Sequence, residues 1–114
     1  MSQSIPVAVL GATGSVGQRF VSLLDGHPWF KVVALAASDR SEGKPYSQAC
    51  RWVLSDPMPT WAAEMVLVPA TPQAVSGARI VFSALPADLA KGLEPDFAKA
   101  GFAVCSNASS PVAS

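Results

Sequence analysis

The sequence predicts an α/β fold, a doubly wound parallel sheet of about five strands with helices on both faces. Three features carry that expectation. Val7-Ala8-Val9-Leu10 is a short apolar run that stops at Gly11, as a buried strand does. From Ser15 the period changes, and Val16, Phe20, Leu23 and Leu24 fall at i, i+4, i+7 and i+8 along one helical stripe. Lys31 to Ala37 then reads as a second strand, apolar throughout as expected where both faces of a parallel sheet are covered. Strand, tight turn, helix and strand within about thirty residues make a βαβ unit.

The remaining elements follow in order. Gly26 stops the first helix and Pro28 follows it. Asp39 to Pro45 is polar and turn-like, Ser47 to Leu54 suits a short helix, and Asp56-Pro57-Met58-Pro59 is loop. Met65 to Val68 and Ile80 to Phe82 predict two more strands. A second helix is expected from Pro86 or Ala87, because Leu89, Leu93, Phe97 and Ala100 share a face. Gly101 closes it, and Phe102 to Cys105 is a last strand. Gly92 and Pro95 inside that helix predict a kink or break, since an interior proline costs about 3 kcal/mol. The expected organisation is one domain over residues 1–114, with an ordered core at 5–110 and a frayed tail at 111–114.

Composition narrows the function classes. Half of the residues are hydrophobic and 14% are charged, the balance of a core-rich globular chain. Eight basic residues match eight acidic ones without any block of like charge, which argues against a nucleic-acid or anionic-membrane partner. No apolar run is long enough to span a bilayer, and Met-Ser-Gln-Ser lacks the basic and apolar regions of a secretory signal. Cys50 and Cys105 lack C-x-x-C spacing and suit reduced thiols in a cytoplasmic protein.

Gly11-Ala12-Thr13-Gly14-Ser15-Val16-Gly17 joins the first predicted strand to the first predicted helix, the context a dinucleotide-binding turn requires. Gly11 permits the tight turn, Gly14 lets the backbone approach a pyrophosphate, and Gly17 lets the helix pack closely on the strand. Free N–H groups of the first helical turn, at the positive end of the macrodipole, would hold the phosphates, with Thr13 and Ser15 adding hydroxyl donors. A Rossmann-like nucleotide site is therefore expected. The end of the second strand selects the nucleotide. A carboxylate about 20 residues beyond the glycines takes a ribose 2′-hydroxyl, whereas arginine favours a 2′-phosphate. Ser38-Asp39-Arg40-Ser41 offers both chemistries: hydroxyls flanking a guanidinium favour NADP, and Asp39 argues for NAD unless it points to solvent.

Val7 to Phe20, His27-Pro28-Trp29-Phe30, Ala36 to Ser41, Gly43-Lys44-Pro45-Tyr46, Arg51-Trp52, Ile80 to Pro86, Phe97 to Gly101 and Ser106-Asn107-Ala108 form an ordered series of blocks. That series resembles the aspartate-semialdehyde dehydrogenase family in its archaeal and fungal branch. The resemblance implies that Thr13 to Val16 contact the cofactor diphosphate and that Ser38, Arg40 and Ser41 hold the 2′-phosphate of NADP. It places Ser83, Ala84, Leu85 and Pro86 beside the nicotinamide ribose, with Asn107 in the same cleft. The implied activity of the full-length, homo-oligomeric enzyme is NADPH-dependent reductive dephosphorylation of aspartyl phosphate to the semialdehyde, in lysine, threonine and methionine biosynthesis. A cysteine thiolate forms a thioester there and a histidine handles protons.

The family's nucleophile lies in an Asn-Cys-(Ser/Thr) block well beyond the Ser-Asn-Ala segment, and Pro111-Val112-Ala113-Ser114 departs from the family's basic segment. The chain is therefore expected to be truncated before the catalytic and dimerisation domain, to carry no catalytic residue and to be inactive alone. Cys105 in a predicted strand and Cys50 in a predicted helix suit packing roles. His27 is expected to make a helix C-terminal contact rather than transfer protons. Trp29, Trp52, Trp61 and Tyr46 come without a basic groove and read as core or interface packing, and no cluster has metal-ligand character. Alternatives stay open: the corresponding part of a malonyl-CoA reductase or N-acetylglutamyl-phosphate reductase, an atypical short-chain dehydrogenase, or a truncated non-catalytic product.

Overall fold

The computed structural model describes residues 4–37, 43–85 and 87–106, and for 87–89 and 106 the backbone alone. Its strands are β1 (Ile5–Leu10), β2 (Phe30–Ala37), β3 (Val68–Pro69), β4 (Ile80–Ser83) and β5 (Ala103–Ser106), all parallel, in the spatial order β3-β2-β1-β4-β5. From central β1 the chain winds outward to β2 and β3, then returns to β4 on the other side of β1 and passes on to β5. The winding thus reverses between β1 and β4. Loops leaving the carboxyl ends of those strands define the crevice where open α/β sheets take ligands. The expected doubly wound α/β class is what the chain adopts.

Successive side chains of a strand point to opposite faces, and each face has its own core. Val7 and Val9 of β1, with Val32 and Leu35 of β2, meet Val21 and Leu24 of α1 (Ser15–Leu24), Tyr46 of α2 (Tyr46–Ala49) and Ala62 of α3 (Thr60–Glu64). On the other face Ala8, Leu10, Ala34, Ala36 and Val81 meet Ala90 and Phe97 of α4 (Ala87–Lys99). The register of β1 on β2 skips one residue, from Val7↔Val32 to Ala8↔Ala34. Val33 is the extra residue and is 41% exposed. Only the second half of β2, Ala34 to Ala37, is buried on both faces, so the reading of an apolar strand covered throughout applies to that half.

Helix α1 starts and stops where the sequence predicts, with Gly26 at φ 70 behind it. Its buried stripe is Gly17, Gln18, Val21 and Leu24, however, not Val16, Phe20, Leu23 and Leu24. Gly17 has to face the preceding turn, and that contact sets the rotation about the helix axis, leaving Leu23 72% exposed. Leu24→Ala is accordingly expected to lower the unfolding free energy by about 2–5 kcal/mol in urea titration, and Leu23→Ala by less than about 0.5 kcal/mol.

Elsewhere long-range hydrogen bonds redraw boundaries. The helix expected at 47–54 is α2 and ends at Ala49, because the Arg51 carbonyl and the Val53 N–H are both engaged by Gln18. The strand expected at Met65 to Val68 shifts to Val68–Pro69. Tyr46 donates its N–H to the Met65 carbonyl and Leu67 to that of Lys44, both at 2.9 Å, so this stretch lies against residues 44–46 instead. No sequence signal announces α3. Helix α4 runs unbroken through Gly92 and Pro95, against the expected break. Both residues are on its exposed side, while Ala90 and Phe97 hold the other side to the sheet. Ala100, expected on the buried stripe, is exposed.

Candidate functional site

After Leu10 the chain turns through Gly11 at φ 71, a left-handed conformation that glycine adopts without strain. Gly11 and Ala12 donate to the Ala36 carbonyl of β2 at 3.0 and 3.1 Å, and Ala84 donates to the Leu10 carbonyl at 2.9 Å. The turn is thereby held between the carboxyl ends of β2 and β4. A Cβ on Gly17 would lie 2.1 Å from the Gly11 oxygen and 2.7 Å from the Ala12 Cα, so α1 sits on the turn with no room for a side chain. Gly14 is different. Its φ of −78 suits any residue, and among the described residues a Cβ there would meet only the Gly11 oxygen, at 3.8 Å. Among the described residues nothing requires glycine at 14.

The first bond into α1 runs from the Gln18 N–H to the Gly14 carbonyl, at 2.9 Å. The N–H groups of Thr13, Ser15, Val16 and Gly17 have no acceptor among the described residues. Gly14 caps the helix without a side-chain hydrogen bond, and the first turn carries no acidic residue. Unsatisfied donors and the positive end of the helix dipole thus coincide beside an exposed glycine, an arrangement that takes up anions.

Beneath the turn, two carbonyls are held inward. The Tyr46 hydroxyl donates to the Ala12 carbonyl at 2.6 Å. Gln18 Nε2 donates to the carbonyls of Thr13 and Arg51, each at 2.9 Å, and its Oε1 accepts the Val53 N–H at 2.8 Å. The Cys50 thiol adds a contact to the Thr13 carbonyl at 3.7 Å. Burial pushes the Tyr46 phenol well above its ordinary range, with the neighbouring thiol adding to the effect. Burial raises the Cys50 thiol too, against opposing hydrogen bonds from Tyr46 and Gln18. Both groups therefore stay protonated at neutral pH and remain donors. Sequence reasoning assigns Tyr46 and Cys50 to packing and does not single out Gln18; the signal for it is a glutamine next to a glycine that must face the turn.

Gly11, Thr13, Gly14, Ser15, Val16 and Gly17 are thus gathered at one strand-to-helix junction. Ala84 borders Gly11, whose Cβ would lie 3.2 Å from the Ala84 carbonyl. Ser83 is fully buried, and its hydroxyl has no partner among the described residues; Leu85 is buried beside it. Ser38, Arg40, Ser41, Pro86 and Asn107 lie outside the described residues, as does Asp39.

Other candidates are spoken for. The His27 backbone N–H donates to the Leu24 carbonyl at 3.1 Å, whereas its imidazole turns to the following loop, with Nδ1 accepting the N–H groups of Trp29 and Phe30 at 3.1 and 3.3 Å. A cleft of about 490 Å³ lined by Asp25, His27, Lys31 and Trp61 lies at the amino end of β2, away from the glycine turn, and Trp61 already bonds the Asp25 carboxylate at 2.8 Å. Tyr46 packs in the core as expected, whereas Trp29 is 68% exposed. Among the described residues no three potential metal ligands cluster, and no helix is long and apolar enough to cross a membrane.

Comparison with known proteins points the same way. The family described as semialdehyde dehydrogenase, NAD binding domain, matches residues 6–111. An aspartate-semialdehyde dehydrogenase of Archaeoglobus fulgidus is 53% identical over 103 residues, 90% of this chain and 30% of the relative. One from Schizosaccharomyces pombe is 47% identical over 102 residues, 90% of this chain and 29% of the relative. The crystal structure of aspartate semialdehyde dehydrogenase with NADP from Candida albicans matches with a TM-score of 0.89 at 44% identity, covering 93% of this chain and 30% of that one. The chain spans about 30% of the length of the curated relatives it matches.

Proposed function

Because the chain belongs to the semialdehyde dehydrogenase family through its NAD-binding domain, we propose that the turn at 11–17 cradles the diphosphate of NADP(H). On this reading the chain is the cofactor-binding portion of an aspartate-semialdehyde dehydrogenase. One observation carries it: four N–H groups without acceptors among the described residues stand at a helix start with no side-chain cap, beside a glycine whose missing side chain would meet no described residue but Gly11. The Candida albicans relative bound to NADP supports that nucleotide over NAD. Ser38, Arg40 and Ser41 would hold the 2′-phosphate, with the guanidinium gripping two of its oxygens. Ser83 to Pro86 would border the nicotinamide ribose, with Asn107 in the same cleft, at the carboxyl ends of the strands.

When bound, the reduced nicotinamide supplies hydride. The residues of this chain bind and orient it. In the whole enzyme, a homo-oligomer, the reaction would be the reductive dephosphorylation of aspartyl phosphate to the semialdehyde. The described side chains offer no activated nucleophile: Cys50 is buried with its thiol raised, and the His27 Nδ1 is committed to backbone. On this reading the chain by itself binds the cofactor and is expected to show no turnover, and its free thiols, Cys50 and Cys105, suit a reducing cytoplasm.

In calorimetry the 114-residue chain is expected to bind NADPH with a micromolar or weaker Kd and to prefer it to NADH. Arg40→Ala should weaken NADPH binding by about tenfold or more and erase the preference. Equal affinity for both nucleotides in the unsubstituted chain, or no binding of either, contradicts the reading.

A further inference from the structure

The peptide planes of the glycine turn are set from below. In a planar trans peptide the carbonyl and the following N–H point in opposite directions. Holding the Ala12 oxygen inward therefore aims the Thr13 N–H outward, and holding the Thr13 oxygen does the same for Gly14, whose N–H makes only a long 3.3 Å bond to the Gly11 carbonyl. The groups that hold them are the Tyr46 hydroxyl on Ala12, and the Gln18 amide with the Cys50 thiol on Thr13. Tyr46 is fully buried and Gln18 is 2% exposed, so neither touches a ligand in the crevice. A carbonyl that accepts a hydrogen bond also makes the N–H of its own peptide a stronger donor. Turned the other way, these two carbonyls would present lone pairs to an incoming anion.

Given the nucleotide reading, on which this inference rests, we propose that Tyr46 and Gln18 are positioning residues for the cofactor diphosphate. They preset the donors of the turn, so binding does not have to order the loop. Gln18 extends the hold by tying the turn to Arg51 and Val53, the stretch that follows α2.

The test compares the 114-residue chain with Tyr46→Phe and Gln18→Met in NMR-detected titrations with NADP and with 2′-AMP, which keeps the 2′-phosphate and adenosine but has no diphosphate. Thermal unfolding of each protein accompanies the titrations. Both variants should unfold cooperatively and bind NADP about tenfold more weakly, with affinity for 2′-AMP within about twofold of the parent. Equal weakening for both ligands would indicate a general loosening and overturn the positioning role, as would unchanged NADP affinity. Should Gln18→Met fail to fold, Tyr46→Phe decides, since it removes one oxygen and leaves the ring in the core. An unsubstituted chain that does not bind NADP would instead overturn the nucleotide reading itself.

Discussion

Gly17→Ala is expected to destabilise the chain by about 3 kcal/mol or more, a large share of the roughly 5–15 kcal/mol that keeps a domain folded. Two effects of opposite sign meet at this position. Alanine is the better helix former by about 1 kcal/mol, which alone would stabilise α1. Against it, the new Cβ would stand 2.1 Å from the Gly11 oxygen and 2.7 and 2.8 Å from Ala12 backbone atoms. Ala12 cannot yield easily. It is fully buried, its N–H is bonded to Ala36 and its carbonyl to Tyr46. Overpacking against side chains costs about 1–3 kcal/mol, and backbone that is pinned on both sides has less freedom to relax. Sterics therefore win. Urea unfolding followed by circular dichroism should show a lowered midpoint or no folded baseline, and a midpoint at or above the parent's would mean that α1 does not rest on the turn.

The second large effect is on binding and leaves the fold alone. Gly14→Val should cost at most about 1 kcal/mol of stability, since the residue already has extended backbone angles and loses only a favourable N-cap type. Among the described residues, the space its side chain enters holds no atom nearer to the Cβ than the Gly11 oxygen at 3.8 Å. On the proposed reading the diphosphate comes against the backbone in that space, so affinity for NADPH should fall by about a hundredfold, close to 2.7 kcal/mol. A folded Gly14→Val chain that binds NADPH like the parent would separate the glycine from the ligand. The two substitutions, three residues apart, should thus fail in different assays.

Much of the architecture is readable because glycines punctuate it. Gly11, Gly26 and Gly101, placed from the sequence at a turn and two helix ends, all have positive φ. The rotation of α1 was hidden for a physical reason. Val16, Phe20 and Leu23 outweigh the true stripe in hydropathy, yet the rotation is set by Gly17, which has no side chain to count, and by Gln18, whose polarity marks it for the surface. Only the carbonyls of Thr13 and Arg51 and the N–H of Val53 make that glutamine a buried residue. The same bonds end α2 early, and the pairing of 44–46 with 65–67 displaces β3; neither is local, so no window of sequence contains it. At the site, the structural reasons for glycine at 11 and 17 were legible, while the tether beneath the turn was not.

The most direct measurement is a ¹H–¹⁵N NMR titration of the 114-residue chain with NADP. The largest shifts should fall on the amides of Thr13, Ser15, Val16 and Gly17, which have no acceptor among the described residues, and shifts around Asp25, His27 and Lys31 at the opposite end of the strands should be small. Unmoved amides in the turn, with the shifts concentrated in that opposite cleft, would contradict the account.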